Sequence, residues 1–86
     1  MNIAVQQTEP RLLDVHVTDD EIVVFLADGR TVKVPLAWSW RLSEASEKAR
    51  QNFHIIGDGL GIHWPDVDED ISVDGILGGI PARKPA

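Results

Sequence analysis

Residues 21–34 read EIVVFLADGRTVKV, two apolar segments separated by Asp28-Gly29. The first segment is apolar at consecutive positions, which is typical of a strand covered on both faces, so we place it in the middle of a sheet. The second alternates Val32 and Val34 with polar residues, as a half-buried strand does. An Asp-Gly pair between two strands predicts a hairpin with a type I′ turn, because Gly29 accepts the positive φ that this turn requires.

A further strand is predicted before this hairpin. Residues 11–18 alternate, and one face of the strand carries Leu13, Val15 and Val17. Two aspartates then supply the residues of a turn. Residues 11–34 are therefore expected to form a three-stranded antiparallel meander.

The pattern becomes helical after Pro35, a residue that is tolerated at the first position of a helix. Residues 36–45 place apolar side chains four apart, which predicts a helix. Ser46 is a suitable N-cap for a second short helix that ends at Asn52. Two short helices are thus expected to follow the meander.

A second hairpin is predicted from residues 53–56 and 61–64, joined by a glycine-rich turn at residues 57–59. The chain after Pro65 is expected to be an acidic loop. Ser72 is then positioned to cap a short C-terminal helix. Its apolar stripe has the i, i+3, i+4, i+7 spacing and consists of Val73, Ile76, Leu77 and Ile80.

Length and composition predict one α+β domain over residues 11–80, with a flexible N-terminal arm at residues 1–10 and a flexible tail at residues 81–86. The 86 residues include no cysteine, which excludes disulfides and thiolate metal sites. The N-terminus lacks the basic and apolar regions of a signal peptide, and no apolar run is long enough to cross a bilayer. These features predict a cytoplasmic protein that does not enter the membrane.

Charge is segregated along the chain, whose formal net charge is −6. Residues 66–74 hold five acids and no base, whereas the bases concentrate in residues 30–50. This dipolar arrangement favours a protein partner, while the net charge argues against phosphate binding as the main role. The alternative is a nucleic-acid-binding regulator that uses one basic face, formed by Arg30, Lys33, Arg41, Lys48 and Arg50.

Two stretches carry a family resemblance: VPLAW at residues 34–38 and GIHWPDVDEDIS at residues 61–72. Over residues 11–79 the chain resembles the bacterial domain-of-unknown-function family 2442, and the WPxxDEDIS segment is the specific part. The resemblance implies a small α+β fold with no agreed activity. It also implies a possible place in toxin–antitoxin-like gene pairs, as for some members, whereas longer members add a C-terminal helix-turn-helix.

Metal and catalytic motifs are incomplete. The carboxylates of residues 66–70 resemble the start of an EF-hand loop, but Ile71 and Leu77 stand where glycine and glutamate are required. His54 and His63, with Asp66 or Asp68, form the remaining metal hypothesis, and a metal-dependent hydrolase is the second alternative function. Residues 57–61 lack the Lys-Ser/Thr of a phosphate-binding loop, and no serine lies in a nucleophile elbow. We therefore predict a protein that is not an enzyme and needs no cofactor.

Tryptophan supplies the most specific interaction signal. The chain has three tryptophans in 86 residues, and a partly exposed tryptophan beside an arginine is a common interface anchor. We predict a protein-binding or regulatory module, in the manner of an antitoxin. Its partner is expected to dock where the first helix meets the acidic loop, and the binding residues are expected to be Trp38, Arg41, Asp66 and Asp68.

Overall fold

The computed structural model of the chain describes residues 10–79. The predicted tail, Ile80 and the predicted arm apart from Pro10 lie outside the described residues. The first sheet has the order β1-β2-β3, which confirms the antiparallel meander and the central place of the apolar segment. Its strands are β1 (Leu12–Val17), β2 (Glu21–Leu26) and β3 (Thr31–Pro35).

A β-bulge near the start of β1 changes which residue faces inward. Leu12 pairs with Leu26 and Asp14 pairs with Phe25, so Leu13 is an extra residue in the strand. Leu13 is 66% exposed and Leu12 only 4%. The prediction that Leu13 shares the inward face was wrong, because strict alternation does not survive an inserted residue.

The β2–β3 connection is a three-residue loop and not the predicted type I′ turn. Gly29 N–H donates to the Leu26 carbonyl at 3.1 Å, and Leu26 N–H donates to the Arg30 carbonyl at 2.9 Å. Gly29 has φ +96°, whereas Asp28 does not have the positive φ that a type I′ turn needs. The backbone N–H of Arg30, assisted by its guanidinium, lowers the pKa of the Asp28 carboxyl.

The predicted helix over residues 36–45 is divided in two. A 3-10 turn spans Leu36–Trp38, and α1 spans Trp40–Ser43. Ser39 lies between them with extended backbone angles, and its hydroxyl caps α1 by accepting a hydrogen bond from Leu42 N–H at 3.2 Å. Ser39 is therefore the N-cap of a new helix, whereas the periodicity alone predicted one continuous helix.

The second helix, α2 (Glu47–Gln51), begins after Ser46 as predicted, and the Ser46 hydroxyl accepts from Ala49 N–H. Its Arg50 side chain is only 12% exposed. Arg50 Nε donates to the Leu42 carbonyl at 2.9 Å and Nη2 to the Ser43 carbonyl at 3.2 Å. Arg50 thus binds carbonyls in the last turn of α1, of which the Leu42 carbonyl also accepts from Ala45 N–H at 3.2 Å, and it joins the two helices.

The second sheet has the order β4-β5-β6, all antiparallel. Its strands are β4 (His54–Ile56), β5 (Gly61–Trp64) and β6 (Glu69–Ser72). The predicted hairpin is confirmed, and the buried Ile62 faces inward as expected. The acidic segment was wrongly predicted to be a loop throughout, because half of it forms β6 after a turn in which Asp68 has φ +53°.

The C-terminal helix, α3 (Val73–Gly78), begins as predicted at Ser72, whose hydroxyl accepts from Gly75 N–H at 2.9 Å. Gly79 ends it with φ +73°. Val73 and Ile76 are buried as the predicted stripe requires, whereas Leu77, the third described member of the stripe, is 38% exposed. Within residues 10–79, no helix has the length and apolar character needed to cross a membrane.

The hydrophobic core draws side chains from both sheets and from the helices. Trp64 is fully buried, and its indole N–H donates to the Arg50 carbonyl at 3.0 Å. The centroids of the Phe53 and Trp64 rings lie 6.3 Å apart, and the two rings are tilted relative to each other. Trp64 therefore completes the core, with its one polar atom satisfied.

A buried carboxyl joins the helical segment to the second sheet. Glu69 is 4% exposed and accepts a hydrogen bond from the Ser39 hydroxyl at 2.5 Å. The backbone N–H of Asp70 donates to its other oxygen at 3.0 Å, and Arg41 Nη1 lies 3.8 Å from that oxygen. Burial of a carboxyl is tolerated only with such donors, so these contacts fix the position of β6 against α1.

A close backbone approach joins the glycine-rich turn to β1. A Cβ on Gly59 would lie 3.1 Å from both the Leu12 carbonyl oxygen and Arg11 Cβ, and Gly59 has φ +92°, so glycine is strongly favoured there. Arg11 Nη1 also donates to the Asp58 carbonyl at 2.8 Å, across 47 positions of sequence. The two sheets are thereby held together at this end.

Gly29→Val should lower the free energy of unfolding by about 1–2 kcal/mol, because a β-branched residue is strained at positive φ. A Cβ at this position meets no atom within 4 Å, so the loss would be conformational and not steric. Gly29→Asn is the matched control and should lose less, since asparagine tolerates positive φ. Urea unfolding followed by circular dichroism measures both, and equal midpoints for Gly29→Val and the unmodified chain would contradict the prediction.

Glu69→Ala should destabilise the fold by about 2–3 kcal/mol, because the buried Ser39 hydroxyl and Asp70 N–H lose their acceptor. Glu69→Gln keeps one acceptor oxygen and should lose less. Glu47→Gln, at an exposed acid on α2, provides the control for loss of one negative charge. The same urea titration applies, and a Glu69→Ala midpoint as high as that of the Glu47→Gln control would contradict the role of Glu69.

Candidate functional site

An open groove of about 430 Å³ lies between the first sheet, the 3-10 turn, β6 and α3. Its apolar lining comes from Ile22, Val34, Trp38, Ile71 and Ile76. Asp70 and Asp74 are the charged residues in the lining, which contains no basic side chain. The groove thus combines apolar walls with acidic groups.

Trp38 is half-buried and lines this groove. It is the last residue of the 3-10 turn, and the extended backbone of Ser39 separates it from Trp40 in α1. The Trp38 ring lies close to the end of α3, since a Cβ placed on Gly79 would be 3.9 Å from Trp38 Cη2. Part of the indole packs against the core and part remains accessible, which is the arrangement expected of an interface anchor.

Arg41 contacts the acidic segment as predicted, but it does so beside α1 and not in the groove. Its Nη1 donates to the Asp68 carbonyl at 3.0 Å, and its guanidinium carbon lies 5.0 Å from the centre of the Trp40 ring. The arginine therefore stabilises the turn before β6 and stacks on Trp40 and not on Trp38.

Asp66 and Asp68, the two acids among the predicted binding residues, do not line the groove. Asp66 accepts a hydrogen bond at 3.2 Å from the side chain of Asn52, the residue that follows α2. Asp68 contributes its carbonyl to Arg41. Of the four predicted binding residues, the structure thus joins Arg41 to Asp68 and places Trp38 in the groove.

The acids that do reach the groove are Asp70 and Asp74, which the sequence analysis did not select. Asp70 lies on β6, a strand that was predicted as loop, so its face could not be assigned. Asp74 lies in the first turn of α3, where the helix dipole also favours an acid, so its residue type alone does not mark it as a binding residue. Recognition of the E-D-I-S alternation as a strand would have placed Ile71 opposite the buried Ile62, and thus toward the core.

The predicted basic face is largely occupied by internal contacts. Arg30 pairs with Asp28 at 2.8 Å, and Arg41 binds the Asp68 carbonyl. Arg50 is bound to the end of α1, and its Nη1 also meets Asp19 at 3.1 Å. These contacts weaken the nucleic-acid alternative, because a phosphate would have to compete with existing partners.

The two histidines of the metal hypothesis lie directly opposite each other, His54 on β4 and His63 on β5. The adjacent acid is Asp70, opposite His63 on β6, and not Asp66 or Asp68. His63 Nδ1 lies 2.7 Å from Asp70 Oδ1. Among residues 10–79, no group of three or more histidines and acids is placed to hold a metal ion.

Comparison with solved structures places this fold among proteins of unknown function. A protein of unknown function from Rhodospirillum rubrum ATCC 11170 is 30% identical, with a TM-score of 0.77 over 90% of this chain and 95% of that one. An uncharacterised protein from Chromobacterium violaceum is 26% identical, with a TM-score of 0.71 over 84% of this chain and 68% of that one.

The curated proteins contain no match to this chain. The family model described as "Protein of unknown function (DUF2442)" matches residues 12–82. This match covers both sheets, and it confirms the family resemblance. The chain therefore belongs to the DUF2442 family of proteins of unknown function.

Proposed function

We propose that the domain is a protein-binding module that acts in the cytoplasm through a surface centred on Trp38. The observation that carries this proposal is the half-buried Trp38 side chain in an open, largely apolar groove. Tryptophan in such a position gives a partner a large apolar area at low entropic cost. The regulatory, antitoxin-like role that the family resemblance implies is one biological use of this surface.

The segregated charge supports a protein partner further. Arg41, Asp66 and Asp68 lie outside the groove, at the junction of α1, α2 and the turn before β6, and we assign them to the rim of the proposed surface. Charges at such a rim mainly affect the association rate and its dependence on salt. The basic residues already bound within the chain give less support to a nucleic-acid partner.

The experiment that tests this function is selection of displayed random 12-residue peptides on the immobilised full chain. Enriched peptides should bind the free protein saturably in solution by isothermal titration calorimetry. Failure to enrich any peptide that binds in solution would contradict the proposal. Duplex DNA titrated at low and moderate salt is the parallel measurement, and tight binding at moderate salt would instead favour the nucleic-acid alternative.

Trp38→Ala should weaken binding of an enriched peptide by about 2 kcal/mol, or roughly 30-fold, because the anchor of the interface is lost. Phe25→Ala is the matched control, since Phe25 is an aromatic residue that is 39% exposed on β2 and does not line the groove. Circular dichroism must show that both variants are folded. Unchanged affinity in a folded Trp38→Ala variant would exclude Trp38 as the anchor.

Asp66→Asn combined with Asp68→Asn should mainly slow association with the same peptide, with a smaller effect on dissociation. Stopped-flow fluorescence at two salt concentrations separates the two rates, and the difference from the unmodified chain should shrink at high salt. A change confined to the dissociation rate would show that these acids do not act as rim charges.

A further inference from the structure

The groove beside Trp38 has an apolar part and an acidic part. Ile71 of β6 and Ile76 of α3 contribute apolar surface, together with Ile22 and Val34 of the first sheet. Water bound against such surface is released when an apolar side chain replaces it, so the groove favours an apolar occupant. Its volume of about 430 Å³ falls within the range of pockets that enclose ligands.

The polar part of the groove has one sign of charge. Asp70 lies at the groove with a side chain that is 65% exposed, and Asp74 is exposed on the first turn of α3. The surrounding sequence, residues 66–74, contains no base. Acidic groups around an apolar site select cationic partners and repel anionic ones.

We infer that this groove binds a segment of a partner protein in which an apolar side chain is flanked by lysine or arginine. This inference rests on the proposed protein-binding function and specifies its partner. The apolar side chain enters beside Trp38 and packs against Ile71 and Ile76. The flanking cations remain at the opening, where Asp70 and Asp74 attract them and a nearby tryptophan face adds a cation–π contact.

A polypeptide segment suits this groove because consecutive residues of one partner chain can supply both an apolar side chain and cations. One residue provides the apolar group, and the residues on either side provide the cations within a short reach. Asp70 is already held by His63, so its carboxylate is oriented before a partner arrives. A preoriented rim reduces the ordering cost of binding.

The test is a nuclear magnetic resonance titration of the 15N-labelled full chain with three capped peptides of otherwise equal sequence. Their central residues are Lys-Leu-Lys, Glu-Leu-Glu and Lys-Ser-Lys. The Lys-Leu-Lys peptide should bind at least tenfold more tightly than either of the others. It should shift the Trp38 indole signal and the amide signals of Ile71, Gly75 and Ile76.

Neutralisation of the rim should reduce this preference. Asp70→Asn combined with Asp74→Asn should weaken binding of the Lys-Leu-Lys peptide about fivefold or more. The matched control is Asp20→Asn with Glu47→Gln, which removes the same charge from exposed positions outside the groove and should change affinity less than twofold. Dispersed amide spectra show whether each variant is folded.

In the peptide titrations, the inference would be overturned by equal affinity for the three peptides, by signal changes away from the groove, or by no saturable change with any peptide. Concentration-dependent shifts of the same signals without peptide would identify a second copy of the chain as the occupant and would also overturn it. Display selection separates the two proposals. Enriched peptides that need Trp38 but lack basic residues would leave the protein-binding function standing and exclude this partner class.

Discussion

The buried carboxyl of Glu69 constrains the structure more than any other polar group. A carboxyl inside a small core must be met by donors, and here they are the Ser39 hydroxyl and the Asp70 N–H, with Arg41 close by. Residues 10–79 contain no buried side-chain nitrogen or oxygen that lacks a hydrogen-bond partner. The Ser39–Glu69 contact therefore sets the position of the helical segment relative to the second sheet.

The groove is a consequence of this contact. Ser39 adopts extended backbone angles to reach Glu69 and to cap α1, so the chain does not continue as one helix from residue 36. That interruption leaves Trp38 in the groove and Trp40 beside Arg41. Adjacent residues thus serve two roles: Ser39 makes the core contact, and Trp38 contributes to the proposed binding surface.

Much of the fold could be predicted because its signals are local. The meander, the Ser46 and Ser72 caps and the β4–β5 hairpin depend on alternation and capping residues that lie close together in sequence. The errors have both distant and local causes. Ser39 is polar within a helical pattern; it caps α1 locally, and its burial is explained by Glu69, thirty positions away. Leu13 is displaced by a bulge that alternation does not reveal.

The candidate site was predictable in part for the same reason. Trp38 was found from its residue type and its neighbours. Asp70 and Asp74 were missed because their place at the groove depends on β6 and α3 meeting the first sheet. Arg50 was assigned to a basic face, although its guanidinium binds the Leu42 and Ser43 carbonyls. Charge counted along a sequence does not show which charges are already used within the fold.

The approach of Gly59 to Leu12 bears on the order in which the chain folds. Each sheet is built from neighbouring strands, so its hairpins close short loops that form on the microsecond scale. The contact between β1 and the glycine-rich turn instead closes a loop of 47 positions, which costs more chain entropy. During synthesis the meander leaves the ribosome first and can pair by itself, while its junction with Gly59 must await the second hairpin. We therefore expect the docking of the two sheets to be slower than the closure of either hairpin, because docking closes the longer loop.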